Sequence, residues 1–334
     1  MRLPPIIYHK PSSLSEALDF LARQGQAATV MGGGTALINS LRHRLVEPEY
    51  VIALDHLPEL CSTQEFADHM EIGSATTLRT ILASDILRQK APLLLQAAAE
   101  VASAQVRNAA TLGGNICLDT RCVYYNRSAE WRTVLKSCFK LGGEICHAVK
   151  RAKGCQAVFS SDLAPALLAL DATLLLETKE QKRTIPLADF YSGKGENPLA
   201  LNAGEILTRI RIPLPGGRSS SSYVKLANRQ AVDFPMLSVA VHVRWADGGA
   251  GVEDIRIVLG AISSLPLRMR EAENLLKKEG LSAAPIERAA ALAYQEAKPV
   301  PNTVLSAAYR KKMVRAYTQR AILEACRRGG IRLI

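Results

Sequence analysis

The sequence predicts an α+β protein of two domains, the first alternating helices and strands and the second placing its strands before its helices. Three observations support this prediction. The 334 residues exceed the roughly 100 to 200 residues of one ordinary domain. Strand and helix patterns alternate along the first third, whereas the last third shows half-buried strand alternation followed by helical periodicity. A segment rich in Pro, Gly and Ser at 213–222 separates the two parts and is predicted to be a linker.

The first domain is predicted to span residues 1–215. Ser13 and Glu16 form a capping box that begins a helix, and the apolar run 27–31 predicts a buried strand that leads into a glycine turn. The predicted elements are, in chain order, a helix over 11–25, a strand at 27–31, a helix at 36–44, strands at 51–54 and 71–74, and helices from Thr77 and over 92–104.

The second domain is predicted to span residues 223–330 and to contain a three-stranded antiparallel sheet and three helices. Val239, Val241 and Val243 share one side of a strand, which is the alternation of a half-buried antiparallel sheet. The predicted elements are strands at 223–227, 237–245 and 252–262, and helices near 266–278, 282–297 and 303–328.

Composition and charge exclude several functional classes. The chain is 48% hydrophobic and 22% charged, which excludes a disordered or disulfide-scaffold protein. It shows neither a long apolar run nor a signal peptide, so we expect a cytoplasmic location and no membrane. The net charge of +11 is concentrated, since residues 121–155 carry +6 and residues 309–334 carry +7. No nucleic-acid-binding motif accompanies it, so we predict no nucleic-acid partner.

The basic C-terminal helix is predicted to be a solvated face, or otherwise to dock a partner subunit or an electron donor. Its basic residues include Arg310, Lys311, Lys312, Arg315 and Arg320.

Two glycine turns are candidates for phosphate binding. The first, Gly32-Gly33-Gly34-Thr35, lies between a predicted strand and a predicted helix, where backbone N–H groups can approach a phosphate. It lacks the Rossmann spacing, because Leu37 stands where Gly or Ala is required. A second turn at 111–115 could grip the other phosphate of a dinucleotide. If the first turn is considered by itself, an ordinary tight turn that binds no ligand remains the alternative to a phosphate site.

Cysteines are concentrated in a basic segment, 119–159, that interrupts the core pattern as an insertion. Four of the seven cysteines lie in this segment, and with Cys117 just before it five fall within 39 residues. The spacing of Cys122, Cys138, Cys146 and Cys155 matches no compact ferredoxin run. An iron–sulfur cluster and a zinc site carry the same formal charge, so the residues alone leave iron–sulfur, zinc and free thiols open.

Three motifs carry a family resemblance: Gly32 to Leu37, Val106 to Asn115, and Ser161 to Pro165, in that order. With them the chain resembles, over nearly its whole length, the flavin-binding subunit of the xanthine oxidase and carbon monoxide dehydrogenase family of molybdenum enzymes. The resemblance implies that the first domain is a two-part α/β FAD-binding domain of the vanillyl-alcohol oxidase-like (PCMH) type. It also implies that FAD is the cofactor and that the chain needs no catalytic acid, base or nucleophile.

The same resemblance implies a role for individual residues. Asp162 would bind the ribityl or adenosine part of FAD, Leu207 would pack on the flavin, and Lys225 would face the polar edge of the ring. Local sequence leaves alternatives, since Asp162 could be a helix N-cap and Lys225 a solvated strand residue. The implied FAD-binding residues are Gly32, Gly33, Gly34, Thr35, Ala36, Leu37, Thr111, Gly114, Asn115, Asp162, Leu207 and Lys225.

The insertion is similar to that of the 4-hydroxybenzoyl-CoA reductase branch of the family. This resemblance implies a [4Fe–4S] cluster ligated by Cys122, Cys138, Cys146 and Cys155, with Cys117 left out and His147 as the alternative ligand. The implied partners are a molybdopterin-binding large subunit and a [2Fe–2S] small subunit in a dimerised heterotrimer, with ferredoxin as electron donor. The complex would reduce 4-hydroxybenzoyl-CoA to benzoyl-CoA during anaerobic degradation of aromatic compounds.

Two other functions remain open at this stage. An oxidative hydroxylase of the same family would send electrons outward from molybdenum through FAD. A zinc-stapled module could instead bind a nucleotide without redox chemistry.

Overall fold

The computed structural model describes residues 2–214, 216–248, 251–301 and 304–331. Pro215, in the predicted linker, and residue 303, at the predicted start of the last helix, lie outside these ranges. The strands are β1 (Ile7–His9), β2 (Ala28–Met31), β3 (Tyr50–Ala53), β4 (Thr63–Glu65), β5 (His69–Gly73), β6 (Thr173–Glu177), β7 (Lys182–Pro186), β8 (Ile206–Pro213), β9 (Ser219–Leu226), β10 (Leu237–Trp245), β11 (Val252–Gly260) and β12 (Leu267–Arg268).

Most helices of the first domain are short. The helices are α1 (Leu14–Gln24), α2 (Leu37–Arg42), α3 (Leu78–Ala83), α4 (Asp85–Lys90), α5 (Pro92–Ala99), α6 (Ala104–Ala109), α7 (Leu112–Ile116), α8 (Ala129–Thr133), α9 (Leu163–Ala169), α10 (Arg270–Glu279), α11 (Ala283–Glu296) and α12 (Ala307–Arg328). None of those in the described ranges is both long enough and apolar enough to cross a membrane.

The first domain contains two sheets. A parallel sheet in the order β1-β3-β2 pairs Ile7 with Tyr50 and Ala28 with the same Tyr50. An antiparallel sheet in the order β4-β5-β8-β6-β7 packs against α5, α7 and α9. The predicted fold class is thus confirmed for this part of the chain, a mixed α/β domain built in two pieces.

The second domain is an antiparallel sheet in the order β12-β11-β10-β9, covered by α10, α11 and α12. Val239, Val241 and Val243 of β10 are fully buried against these helices, as their alternation predicts. The three predicted strands are present, and β12 adds a fourth. A strand of two residues has no periodicity, so the sequence gives no sign of it.

The serine run was wrongly predicted as part of a linker, because Ser219 to Ser222 form the first half of β9. Ser220 is buried, and its hydroxyl accepts a hydrogen bond from Nε1 of Trp245 at 3.0 Å and donates one to the carbonyl of Ala325 at 2.8 Å. Small side chains let α12 approach the strand closely. Serine therefore serves here as a packing residue with satisfied hydroxyls.

The two domains share an apolar core. Tyr223, Ala240 and Val258 of the second sheet belong to the same buried cluster as Leu163 and Leu167 of α9. Helix α9 thus lies between the two antiparallel sheets. The residues on either side of this helix are held in one packed unit, which fixes the position of the Ser161 to Pro165 motif.

A short antiparallel bridge between Arg121 and Val158, with N···O distances of 2.7 and 2.8 Å, pairs the two ends of the insert, residues 119–159, with each other. Most of its side chains are half-buried or exposed. Polar contacts attach the insert to the rest of the first domain. The buried ammonium of Lys140 donates to Asp119 Oδ1 at 2.6 Å, to Thr120 Oγ1 at 2.7 Å and to the carbonyl of Gly195 at 2.6 Å.

Candidate cofactor site

The first glycine turn presents unused backbone donors. In the part of the chain that the structure describes, the N–H groups of residues 32–36 donate to no protein acceptor. Thr35 and Ala36 are exposed, and Leu37 begins helix α2. Gly34 has a φ of +70°, in the left-handed region that favours glycine. A row of free N–H groups at a turn is a suitable binding site for an anion.

The two glycine turns touch, and their glycines permit the contact. A Cβ at Gly33 would overlap the carbonyl oxygen of Ala109, and a Cβ at Gly32 would lie 2.5 Å from Thr111 Oγ1. Any side chain at Gly33 must push the turns apart, because the obstructing atom is backbone. The structure therefore brings together the two motifs that the sequence places about 80 residues apart.

The second turn is not a second phosphate cradle of the same kind. The N–H of Gly114 donates to Thr111 Oγ1 at 3.1 Å, and the N–H of Gly113 donates to the carbonyl of Ser74 at 2.7 Å. The N–H groups of Leu112 and Asn115 are also used within the protein. Its backbone donors are thus committed, so this turn braces the first one and offers side chains.

Asn115 links the second turn to the third motif. Its Oδ1 accepts hydrogen bonds from the Ser161 hydroxyl at 2.6 Å and from the N–H of Leu163 at 3.3 Å. An N–H can only donate, which identifies this atom as oxygen and leaves Nδ2 of Asn115 as a donor. Ser161 in turn caps helix α9 by accepting from the N–H of Ala164 at 3.0 Å. This capping role of Ser161 was not predicted from the sequence.

Asp162 is buried next to that cap, but its carboxylate does not cap the helix. Oδ1 accepts from the Tyr223 hydroxyl at 2.7 Å and lies 3.2 Å from Nζ of Lys225. Burial raises the pKa of Asp162 to about 6, although the Lys225 charge and the Tyr223 hydrogen bond act to lower it. The carboxylate thus holds the two domains together across the interface.

Lys225 is buried at its side chain, in contrast to the solvated alternative. Besides Asp162, its ammonium donates to the carbonyls of Glu100 at 2.7 Å and Asp233 at 3.0 Å. It also lines a cavity of about 430 Å³, formed with Glu100 and the loop 227–233. Leu207 is buried in the core of the first domain and pairs with Leu176 across the sheet.

The four cysteines of the insert influence one another electrostatically. Burial raises the pKa of the Cys122 thiol, and Cys146 and Cys138 raise it further. Burial raises the pKa of Cys155 to about 11, and Cys122 contributes. Among the described residues, however, no group of three or more His, Cys, Asp or Glu side chains is placed to hold a metal ion. The four thiols are close enough to affect one another's pKa values, but they are not arranged to ligate a metal ion.

Two other candidate ligands, Cys117 and His147, make contacts of their own. Cys117 packs against the core of the first domain, where burial raises its pKa to about 12. The Nε2 atom of His147 lies 2.8 Å from the carbonyl of Lys136, and its ring contacts Tyr124. Cys117 is thus a core residue of the first domain, whereas His147 directly follows Cys146 within the insert.

The insert is fastened to helix α2, which begins at the first glycine turn. The guanidinium of Arg132 donates to the carbonyls of His43 at 2.9 Å and Arg44 at 2.7 Å, immediately after the helix ends. Six residues at 1.5 Å rise make this helix about 9 Å long. The glycine turn and the anchor of the insert are therefore one short helix apart.

This fold and this turn define a class of nucleotide-cofactor-binding oxidoreductase subunits, and comparison with known proteins identifies the family. A family model described as the FAD binding domain in molybdopterin dehydrogenase matches residues 4–215. A second, described as the CO dehydrogenase flavoprotein C-terminal domain, matches residues 222–325. The chain belongs to the FAD-binding medium subunits of the xanthine oxidase and carbon monoxide dehydrogenase family of molybdenum enzymes.

Individual relatives match over almost their whole length. The glyceraldehyde dehydrogenase medium chain of Sulfolobus acidocaldarius is 27% identical, over 96% of this chain and 98% of that protein. The carbon monoxide dehydrogenase medium chain of Afipia carboxidovorans is 26% identical, over 95% and 96%. Among solved structures, a cyanide-inactivated Cu,Mo-CO dehydrogenase chain superposes with a TM-score of 0.81 at 26% identity, covering 98% of this chain and all of that one.

Proposed function

We propose that this chain carries both FAD and a [4Fe–4S] cluster and transfers electrons within a reductive molybdenum enzyme. Its partners would be a molybdopterin-binding large subunit and a [2Fe–2S] small subunit, assembled as a dimerised heterotrimer. A low-potential donor such as ferredoxin would supply the electrons. The single observation that carries the proposal is the four-cysteine insert anchored at the end of helix α2.

The donors around the first glycine turn suit a diphosphate. Free N–H groups of residues 32–36 would face its oxygens, and the Asn115 amide nitrogen lies on the neighbouring turn. When bound, FAD accepts and releases electrons singly or in pairs. Asp162, Leu207 and Lys225 are proposed to contact the rest of the cofactor, Lys225 from the wall of the 430 Å³ cavity.

The insert supplies the donor set that an iron–sulfur cluster requires. Four thiolates around an oxidised [4Fe–4S] core leave about two negative charges, and the insert carries eight Lys and Arg against two Glu over residues 121–155. The buried Lys140 ammonium acts to lower the pKa of Cys155, although burial outweighs it and raises that pKa to about 11. Cys122, Cys138, Cys146 and Cys155 are therefore the proposed ligands.

Iron and flavin analysis of the anaerobically purified protein tests this assignment. We expect about four irons and one FAD per chain, with flavin absorption near 450 nm above a broad iron–sulfur shoulder. Cys138→Ser should lose the iron and keep FAD, whereas the control Cys61→Ser, outside the insert, should keep both. Zinc in place of iron contradicts the cluster, and four irons in Cys138→Ser contradict the ligand set.

The direction of electron flow requires a separate experiment. We propose the reductive direction and 4-hydroxybenzoyl-CoA as substrate, on the basis of the insert. Several relatives are named dehydrogenases or hydroxylases, among them nicotine 6-hydroxylase, which favours an oxidative enzyme as the second candidate. With partner subunits present, benzoyl-CoA formed from 4-hydroxybenzoyl-CoA and reduced ferredoxin supports the first, and hydroxylation with an electron acceptor supports the second.

A further inference from the structure

A cleft of about 290 Å³ lies where the insert meets the C-terminal domain. The insert contributes Arg121, Cys122 and Arg127 to its wall, and the C-terminal domain contributes Phe234 and Arg310. No Asp or Glu is among the described residues that line it. We call this the seam cleft. Its wall is cationic on both sides.

Arg310 is a buried cation without an acidic partner among the described residues. It was expected on a solvated helix face, and that prediction is wrong, because only 1% of the residue is exposed. Its guanidinium donates to the carbonyls of Met236, Val300 and Ala261. Burial lowers its pKa to about 10. Three of its five N–H groups are thus used, and the charge itself is balanced by no carboxylate in the described chain.

The other two guanidinium groups are also without a carboxylate partner among the described residues. Arg121 lies over the ring of Phe234 at 4.2 Å, and the nearby Asp119 is already bound by Lys140. Arg127 lies over the ring of Trp131 at 5.4 Å and donates from Nε to a backbone carbonyl. Aromatic contacts hold both side chains in place without neutralising them.

An uncompensated buried charge costs free energy that an incoming anion can recover. We propose that the seam cleft binds a small organic anion, a carboxylate or a phosphate monoester. Its oxygens would meet the guanidinium groups of Arg121 and Arg127, in the field of Arg310. Its apolar part would lie against Phe234 and Val300, which supply the hydrophobic wall.

The shape of the cleft favours a small molecule with an apolar body. A bare inorganic ion would leave most of the 290 Å³ unfilled and the ring of Phe234, 44% exposed, uncovered. Planar guanidinium groups bind carboxylates and phosphates through two parallel hydrogen bonds. The cleft is therefore expected to prefer ligands that carry both a negative charge and an apolar part. The proposal goes beyond the electron-transfer role, and because Cys122, a proposed cluster ligand, lines the same cleft, the experiment must separate the two sites.

Isothermal titration calorimetry of the whole chain at low salt tests the proposal, with benzoate, adenosine 5′-monophosphate and inorganic phosphate as probes. We expect saturable binding of at least one organic anion in preference to inorganic phosphate, weakened by added salt. Arg121→Gln and Arg127→Gln should each weaken it about tenfold or more. Arg315→Gln is the matched control, because Arg315 lies on the same helix as Arg310 but pairs with Glu287.

Three results would overturn the proposal. One is the absence of saturable binding by every probe, and another is unchanged affinity in the Arg121→Gln/Arg127→Gln double variant. The third comes from Cys138→Ser protein without metal. Binding seen only in that form would identify the cleft as space belonging to the metal centre, whereas equal binding with and without metal supports a separate site.

Discussion

The hydroxyl of Tyr223 donates a 2.7 Å hydrogen bond to Oδ1 of Asp162, and both side chains are buried. Tyr223 lies on the first strand of the C-terminal sheet, and Asp162 precedes helix α9 of the first domain. Lys225, two residues further along the same strand, reaches the same carboxylate. The proposed FAD site is thus closed by a polar contact between domains.

Asp162 should make the protein less stable as pH rises from about 4 to about 6. Its pKa is raised from 3.8 to about 6 in the folded state, so the folded protein binds this proton more tightly than the unfolded chain. The stabilising contribution, roughly 3 kcal/mol at most, is complete below the pKa of the unfolded state. It is lost as the pH rises through the pKa of the folded state. Denaturant unfolding at several pH values should show this component in the wild type.

Asp162→Asn is the matching variant, because it keeps the shape and cannot titrate. Its unfolding free energy should lack the decline between pH 4 and 6. A decline of the same size in Asp162→Asn would assign the effect to another group.

His242 should act in the opposite direction over a similar range. Burial lowers its pKa from 6.5 to about 4, so the unfolded chain binds the proton more readily. Stability is therefore expected to fall as pH decreases from about 6.5 to about 4, by roughly 3 kcal/mol at most. His242→Gln should reduce this acid sensitivity in the same unfolding series. If the stability of His242→Gln fell with decreasing pH as steeply as that of the wild type, the assignment to His242 would be contradicted.

Gly33→Ala should separate the two glycine turns and release the flavin. The new Cβ would overlap the Ala109 carbonyl, and overpacking of this kind costs about 1–3 kcal/mol. We expect most FAD to be lost on gel filtration, measured by absorbance at 450 nm. Gly216→Ala is the control, because no described residue other than its chain neighbours comes within 4 Å of its added Cβ. Equal FAD retention in both variants would argue against the cradle.

Ser220→Ala should destabilise the C-terminal domain by about 1–3 kcal/mol, because it leaves the Trp245 indole N–H buried without an acceptor. Thermal denaturation followed by Trp fluorescence measures the effect. Ser219→Ala, at an exposed position of the same strand, should change little. If both variants behaved alike, the serine run would not be the packing element described above.

The sequence predicts best the elements with strong periodicity. The alternation of Val239, Val241 and Val243 predicted the bounds of β10 correctly. Prediction from the sequence failed where composition and packing disagree. Ser219 to Ser222 have the composition of a linker, and yet α12 covers this part of the strand. Arg310 was misassigned for the same reason, since charge alone does not reveal that three carbonyls surround a side chain.

The candidate site was partly predictable in the same way. The glycine turns could be predicted because a run of glycines marks a place where the backbone can be approached closely. Lys140 and Arg132, which fasten the insert, look like any other cation of a basic run. Their partners outside the insert are backbone carbonyls of Gly195, His43 and Arg44, and backbone acceptors leave no signature in a sequence.

The grip of Arg132 on the end of helix α2 has a consequence for how the subunit matures. The contact joins a guanidinium to two backbone carbonyls and involves none of the insert cysteines, so an insert that has not yet received its metal would keep it. The nucleotide turn, one helix of six residues away, would then keep its shape while the metal is absent. Flavin retention is thus expected not to depend on metal delivery, and the two centres could be filled in either order.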